Sequence, residues 1–351
     1  MTEVRPFTSA DLPPVMALIE SRLPGWVHGP SLLVDTLLEH PWADPELSSL
    51  VAVDSEERIV GFIGAQVRRM RLGERTVRGV CCSHLVVASD RGAGLAGTLL
   101  LRQMLSGPQD LSWTDSATDT VVRMWESFGG YIDCARTADW MLVLRPVRWI
   151  CGVLGDAARQ RRIGRGEVPV GALPLQVAGP RLLPRAFPTP SVEISGVSAS
   201  ASTIASVLPS LTRKVTLSVD YDAAHLETLF RQVRSALGVL VTRIVHRGTK
   251  PIGWYAYVSR PGGTSRVLHI GAQQTDADAV VGELIAHARA DGCAVVSGRA
   301  EPHLRQALTR RFAVLGFARQ PVVHTRDLEI RALISTDASL ISHLDGEWFA
   351  T

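Results

Sequence analysis

Apolar and polar positions along the first 145 residues change rhythm in an orderly way. Val4-Arg5-Pro6-Phe7 alternates and predicts a short strand. Ser9-Ala10-Asp11-Leu12 then supplies a cap for the helical spacing of Val15, Leu18 and Ile19. Trp26 to His40 predicts a second helix. Ser49 to Val53 and Ile59 to Ala65 are apolar runs joined by the polar turn Asp54-Ser55-Glu56-Glu57-Arg58, which predicts a hairpin. A strand from Arg75 to Val87 follows, and beyond a glycine-rich turn Leu99, Leu100, Leu101, Met104 and Leu105 mark a strongly apolar helix. Leu111 to Thr114 reads as a strand and Thr118 to Phe128 as a helix ended by Gly129-Gly130. Tyr131-Ile132-Asp133 and Met141 to Leu144 predict a last hairpin.

After Pro146 the pattern dissolves into Pro, Gly, Ser and Ala, with Pro184, Pro188, Pro190 and the low-complexity stretch Ser195 to Ser206. This reads as a connector over 147–212. Within it an apolar run, Arg148 to Leu154, meets a basic one, Arg159 to Arg165. The pair predicts a docking helix with a solvated basic end rather than a membrane-surface helix, because it is short and carries Gly152 and Gly155. The earlier succession then returns: a helix from Leu226 to Leu237, strands Val239 to His246, Gly253 to Ser259 and Arg266 to Ala272, a helix from Asp276 to Ala290, a strand Cys293 to Ser297, a helix Glu301 to Leu315 and a strand Val322 to Thr325. The expected organisation is 1–146, a connector 147–212, and a second copy over 213–351.

With 351 residues, 46% of them hydrophobic and 20% charged, the chain can bury two cores and is not disordered. A net charge of +3 gives no case for nucleic-acid binding. No run of 18 apolar residues and no charged-then-apolar leader appears, which predicts a soluble, cytoplasmic protein without an integral membrane segment. The five cysteines show no paired spacing, so neither a metal site nor a disulfide framework is expected.

The turn after Val87 reads Ala88-Ser89-Asp90-Arg91-Gly92-Ala93-Gly94-Leu95-Ala96-Gly97. It holds no proline, so every residue offers a backbone N–H, and its glycines let the main chain approach a ligand closely. At a helix N-terminus such N–H groups favour an anion, here a diphosphate. Gly92-Ala93-Gly94-Leu95-Ala96-Gly97 fits the dinucleotide spacing, with Asp110, Asp115 and Asp119 near the expected acidic position. A Walker loop is excluded by the missing Gly-Lys-Ser/Thr. Arg91-Gly92-Ala93-Gly94-Leu95-Ala96 resembles the Arg/Gln-x-x-Gly-x-Gly/Ala acyl-CoA signature of the GNAT N-acetyltransferase superfamily. The surrounding chain favours this last pattern: Arg5-x5-Asp11-Leu12, the hairpin Leu50 to Ala65, and Val121 to Gly129 resemble that family's landmarks in order and spacing. Arg311 to Phe317 resembles its Leu-Gly-Phe helix end, whereas Gln273-Gln274-Thr275-Asp276-Ala277-Asp278 replaces the glycine turn in the second half. The resemblance implies a mixed α/β sheet fold in two tandem GNAT-like copies, the second degenerate.

It further implies transfer of an acyl group, acetyl by expectation, from CoA thioester directly to the amine of a small or sugar-borne acceptor. Pantetheine would pair with the backbone of Leu85, Val86 and Val87. The diphosphate would meet the amides of Arg91, Gly92, Ala93, Gly94, Leu95 and Ala96, and Thr118 stands where the family often has a cofactor-contacting Asn. The family's acid, a Tyr, falls on Trp125, which has no such proton to give. His84 is the candidate base, because an imidazole titrates near the working range. Cys81 and Cys82 read as buried apolar residues, and Asp115 and Glu126 as surface charges. In the tail, Asp345 or Glu347 would suit an acceptor ammonium, but a helix packing Leu344, Trp348 and Phe349 onto a core is the stronger expectation. Two other functions fit: a CoA-binding or structural module without catalysis, and a tandem aminoacyl transferase of the peptidoglycan type, which the weak charge disfavours.

Overall fold

The computed structural model describes residues 2–23, 26, 28–89, 95–146, 149, 193–317 and 320–349. The chain forms two compact units, each assembled from separated stretches. Unit 1 takes Met1–Ala135, Val215–Leu237 and Arg319–Thr351, and unit 2 takes Arg136–Lys214 and Gly238–Ala318.

Unit 1 begins with β1 (Glu3–Pro6), α1 (Leu12–Arg22) and α2 (Pro30–Leu33), which runs into a π turn, Val34–Leu38. Among the described residues of the helix expected from Trp26 to His40, only Pro30–Leu38 is helical. β2 (Leu50–Val53), β3 (Ile59–Leu72), β4 (Arg75–Val87), α3 (Ala96–Leu105), β5 (Leu111–Thr114), α4 (Asp119–Ser127) and β6 (Tyr131–Ile132) follow. Spacing at the start has a physical basis: the Arg5 guanidinium donates to both carboxylate oxygens of Asp11 at 2.8 and 2.7 Å, tying β1 to the turn before α1. That pairing, with two further bonds from Thr8, holds Asp11 down to a pKa of about 2. Gly129, with φ +86°, ends α4 as a left-handed residue, as the sequence predicts. One face of the sheet is covered by α3, whose Leu100, Leu101, Met104 and Leu105 are buried against it. Each such side chain contributes about 1.5–3 kcal/mol of burial. The opposite face packs on α1 through Val15, Ile19, Phe62 and Val86.

Unit 2 contains β7 (Ala138–Val143), β8 (Ile194–Ser198), α5 (Ala201–Leu211), β10 (Leu240–Arg247), β11 (Lys250–Val258), β12 (Thr264–Ala272), α7 (Ala277–Ala290), β13 (Val295–Arg299), α8 (Arg305–Arg310) and β14 (Val314–Phe317). Unit 1 receives from the later chain β9 (Leu217–Val219), α6 (Ala223–Leu237), β15 (Val322–Thr325), α9 (Leu328–Leu333) and β16 (Ser339–Leu340). The sheet of unit 1 runs β1-β2-β3-β4-β5-β15-β6, with β9 and β16 attached beyond β3. That of unit 2 runs β14-β7-β13-β12-β11-β10-β8. Each has four antiparallel strands, one parallel step (β4 to β5, β12 to β13), then two antiparallel strands. The two sheets therefore share one mixed α/β topology, which is consistent with two tandem copies.

Three expectations need correction. Ala138–Val143 does not close a hairpin with Tyr131: it lies between β13 and β14, while β15 fills the matching place between β5 and β6. The halves exchange their last strands, so the contiguous blocks 1–146 and 213–351 are not the compact units. Ser195 to Ser206 is not a linker, because it forms β8 and the start of α5, with Ser200 capping that helix through Thr203. Small residues suit β8, where a Cβ on Gly196 would lie 2.0 Å from Glu283 Oε1. Glu301 to Leu315 is a 3-10 turn, Pro302–Leu304, then the six-residue α8, and Val314 and Leu315 already belong to β14. The basic stretch 159–165 lies outside the described residues.

Candidate functional site

The site in unit 1 is a fork between two parallel strands. β4 pairs with β5 only where Gly79–Cys81 meet Leu111–Trp113. β4 continues to Val87, held by β3 on its other side, yet among the described residues no strand pairs with Cys82–Val87 on the β5 side. Among the described residues, no strand satisfies the outward backbone groups along that edge. Opposite, the register slips: Phe62 pairs with Val86 and Gly64 with Ser83, so His84 and Leu85 together face Ile63. This is a β-bulge, and His84 takes a left-handed φ of +51° to make it. The bulge is tightly backed, since a Cβ on Gly64 would lie 2.7 Å from Ser83 Oγ.

His84 sits in that bulge and is 7% exposed. Its ring stacks on Phe349 at 5.2 Å and meets the Trp26 ring edge-on at 4.6 Å. Nδ1 lies 3.1 Å from Ser83 Oγ, and Nε2 has no hydrogen-bond partner among the described residues. Burial, helped by the neighbouring His28, drives its pKa down to about 3. The imidazole is neutral at pH 7, and so acidic a conjugate acid makes it a weak proton acceptor. Val86 points into the α1 core, while Leu85 and Val87 lean on the opposite face toward α3 and α4.

Leu95, which precedes α3, is 69% exposed, and Ala96 is buried against Gly61. A Cβ on Gly97 would stand 3.3 Å from Val87 Cγ1, so the third glycine of the run serves close helix–strand packing. Arg91, Gly92, Ala93 and Gly94 lie outside the described residues. Thr118 is exposed and caps α4, its hydroxyl accepting from Val121 N at 3.4 Å. Trp125 is 1% exposed in the core beneath α4, so that helix position offers no accessible polar atom. Burial raises the thiol pKa of both Cys81 and Cys82, which keeps them protonated and inert.

The tail supplies what the sequence patterns do not reveal. Every residue from Ser342 to Phe349 is buried, around a single 3-10 turn, His343–Asp345, rather than the expected helix. Glu347 Oε2 accepts from Thr114 Oγ1 at 2.7 Å, Asp115 N at 2.8 Å and Ser116 N at 3.3 Å. Glu347 N donates back to Asp115 Oδ2 at 3.0 Å, and His343 Nδ1 lies 3.3 Å from the same oxygen. Asp345 accepts from Tyr221 and from the amide and hydroxyl of Ser342, and its carbonyl accepts from Arg68 Nε at 3.0 Å. Gly346 permits this clamp, because a Cβ there would lie 1.7 Å from Asp115 Oδ2. Burial first, then the charge of Asp115, lifts Glu347 to a pKa of about 7, and burial also raises Asp345. Asp115 is therefore no surface charge. The only sequence signal was the mixture of carboxylates and aromatics in Asp345-Gly346-Glu347-Trp348-Phe349; the partners of Glu347 lie 231–233 positions away.

Unit 2 has the same fork, with β12 joined to β13 only through Thr264–Arg266 and Val295–Ser297. The carboxylates at the start of its α7 are paired with arginines from elsewhere in the unit: Asp276 with Arg247 at 2.9 Å and Asp278 with Arg311 at 3.0 Å.

No family model and no curated protein matches the chain. Solved structures do. A GCN5-related N-acetyltransferase from Anabaena variabilis ATCC 29413 covers 96% of the chain with 75% of its own, at 11% identity and a TM-score of 0.62. A conserved protein of unknown function from Enterococcus faecalis V583, described as a probable N-acyltransferase, covers 94% with 74% of its own, at 10% identity and 0.59. A GCN5-related N-acetyltransferase from Kribbella flavida covers 93% with 72% of its own, at 12% identity and 0.59. The chain has the GNAT-type fold of these proteins.

Proposed function

We propose that this protein is an acyl-CoA-dependent N-acyltransferase, with acetyl as the transferred group and an amine on a small molecule or sugar as acceptor. The observation that carries this reading is the fork: an edge, Cys82–Val87, that no strand pairs among the described residues runs past a bulge toward the start of α3. A pantetheine arm fits such an edge, because its amides can take the hydrogen bonds that a neighbouring strand would otherwise make. The sequence places Arg91-Gly92-Ala93-Gly94 where a diphosphate could follow, with Leu95 and Ala96 opening the helix. When bound, the thioester supplies an activated carbonyl, and the chain's own residues align it and exclude water. Unit 2 carries carboxylates already paired with arginines in the corresponding turn, which supports its role as a degenerate copy.

A CoA-binding module without turnover is the second reading, favoured by buried Trp125. Calorimetry with acetyl-CoA, followed by thiol release across a panel of amines, separates the possibilities. Binding at about micromolar Kd is expected for the wild type, with at least a tenfold loss in Gly94→Val. Absence of binding refutes both readings, whereas binding without turnover on any amine selects the second.

A further inference from the structure

The carboxylate of Glu347 stands where β4 and β5 part. Its Oε2 is fixed by three donors from Thr114, Asp115 and Ser116, the residues that follow Trp113, the last residue of β5 in the ladder. These donors hold the carboxylate just past the point where the β4–β5 ladder stops, at the β5 side of the fork. All three of these hydrogen bonds go to Oε2 rather than Oε1. If a diphosphate lies at the turn and a pantetheine along Val87 to Leu85, the thioester end points toward residues 84 to 82, at the mouth of the fork. From this placement we infer that Glu347 takes the proton from the acceptor amine, with Thr114 as the residue that positions it. This inference rests on the acyl-transfer reading above.

Competing groups are less suited. His84 is a weak acceptor in its aromatic slot, Cys81 and Cys82 are inert, and Asp115 is engaged by Glu347 N and faced by His343. Arg68 adds the positive charge that faces Asp115 and Asp345. A pKa of about 7 places the Glu347 carboxylate near the operating pH, as a proton acceptor requires. The step balances as follows. The acceptor ammonium gives one proton to Glu347, and the freed lone pair forms the C–N bond at the thioester carbonyl. The C–S bond then breaks with its electron pair leaving on sulfur, the second amine proton passes to that thiolate, and Glu347 returns its proton to solvent.

Glu347→Gln and Thr114→Val test this in the full chain, with acetyl-CoA and the best amine of the panel. In E347Q we expect acetyl-CoA affinity within about twofold of wild type, turnover lower by roughly 100-fold or more, and loss of the acidic limb near pH 7. In T114V the limb moves to higher pH, because one bond to the carboxylate anion is gone while the base is kept. Infrared difference spectra of the ligand-free protein give a readout apart from activity: a carboxylic acid carbonyl band titrating near pH 7 in wild type and missing in E347Q. Turnover of E347Q within roughly threefold of wild type, with the limb retained, overturns the assignment and leaves acyl transfer standing. An unmoved limb in T114V overturns it as well, should E347Q fail to fold. A wild type that binds no acetyl-CoA removes the acyl-transfer reading itself, and this inference with it.

Discussion

Replacing His84 by Asn offers a quantitative test of how the bulge is built. Asn is among the few residues that tolerate a left-handed φ, so the backbone at +51° is preserved while the titratable ring is lost. The imidazole ionises near 6.5 in the unfolded chain and near 3 in the fold. The unfolded state therefore binds the proton first, and stability present above about pH 6.5 is lost as pH falls toward 3. Between pH 7 and pH 5 this one ring costs about 2 kcal/mol, at about 1.4 kcal/mol per pH unit once the unfolded form is protonated. Glu347 acts in the opposite direction. Its folded pKa near 7 lies above the unfolded 4.5, so its stabilising effect is present at low pH and fades as pH rises through 7. The two terms mask each other in wild type, and the variant separates them. Urea unfolding at constant ionic strength, followed by circular dichroism, should show H84N less stable at pH 7 by about 1–3 kcal/mol from lost ring packing. At pH 5 the gap should shrink by about 2 kcal/mol. A gap equal at both pH values would refute the assignment of His84 as a buried neutral ring.

Two other substitutions examine neighbouring parts of the site. Gly346→Ala drives a methyl group into the Asp115 carboxylate, so we expect a loss of about 1–3 kcal/mol in thermal or urea unfolding. An unchanged melting curve would show that the tail is not clamped there. Thr118→Ala removes the α4 cap and should cost about 1 kcal/mol while leaving acetyl-CoA affinity within about twofold. A large affinity loss at unchanged stability would instead show that Thr118 contacts the ligand.

Local signals carried the element pattern well. The Arg5–Asp11 tie, the capped turns, the Gly129 stop and the apolar face of α3 are all short-range features, and their physics is written in neighbouring residues. The exchange of β7 and β15 was not legible, because each strand's own alternation suits either sheet and only long-range pairing decides between them. Ser195 to Ser206 looked like linker since small residues are ambiguous: Gly196 is required by Glu283, a neighbour 87 positions later. His84 was visible as a polar residue in an apolar strand, but its burial by Trp26 and Phe349 depends on segments far apart in sequence. Glu347 was visible as a tail carboxylate, but its place in the fold was not legible for a related reason. Nothing near it announces that its partners are the amides at the end of β5.

Trading the final strands also governs the order in which the molecule can be made. During synthesis the first 135 residues emerge with a vacancy between β5 and β6, and only residues 322–325 can fill it. The nascent N-terminal stretch must wait, with an exposed edge, until residues 322–325 have left the ribosome. Splitting the gene at the apparent midpoint would leave each fragment holding a strand that belongs to the other, so neither should fold alone, while co-expressed fragments should find one another.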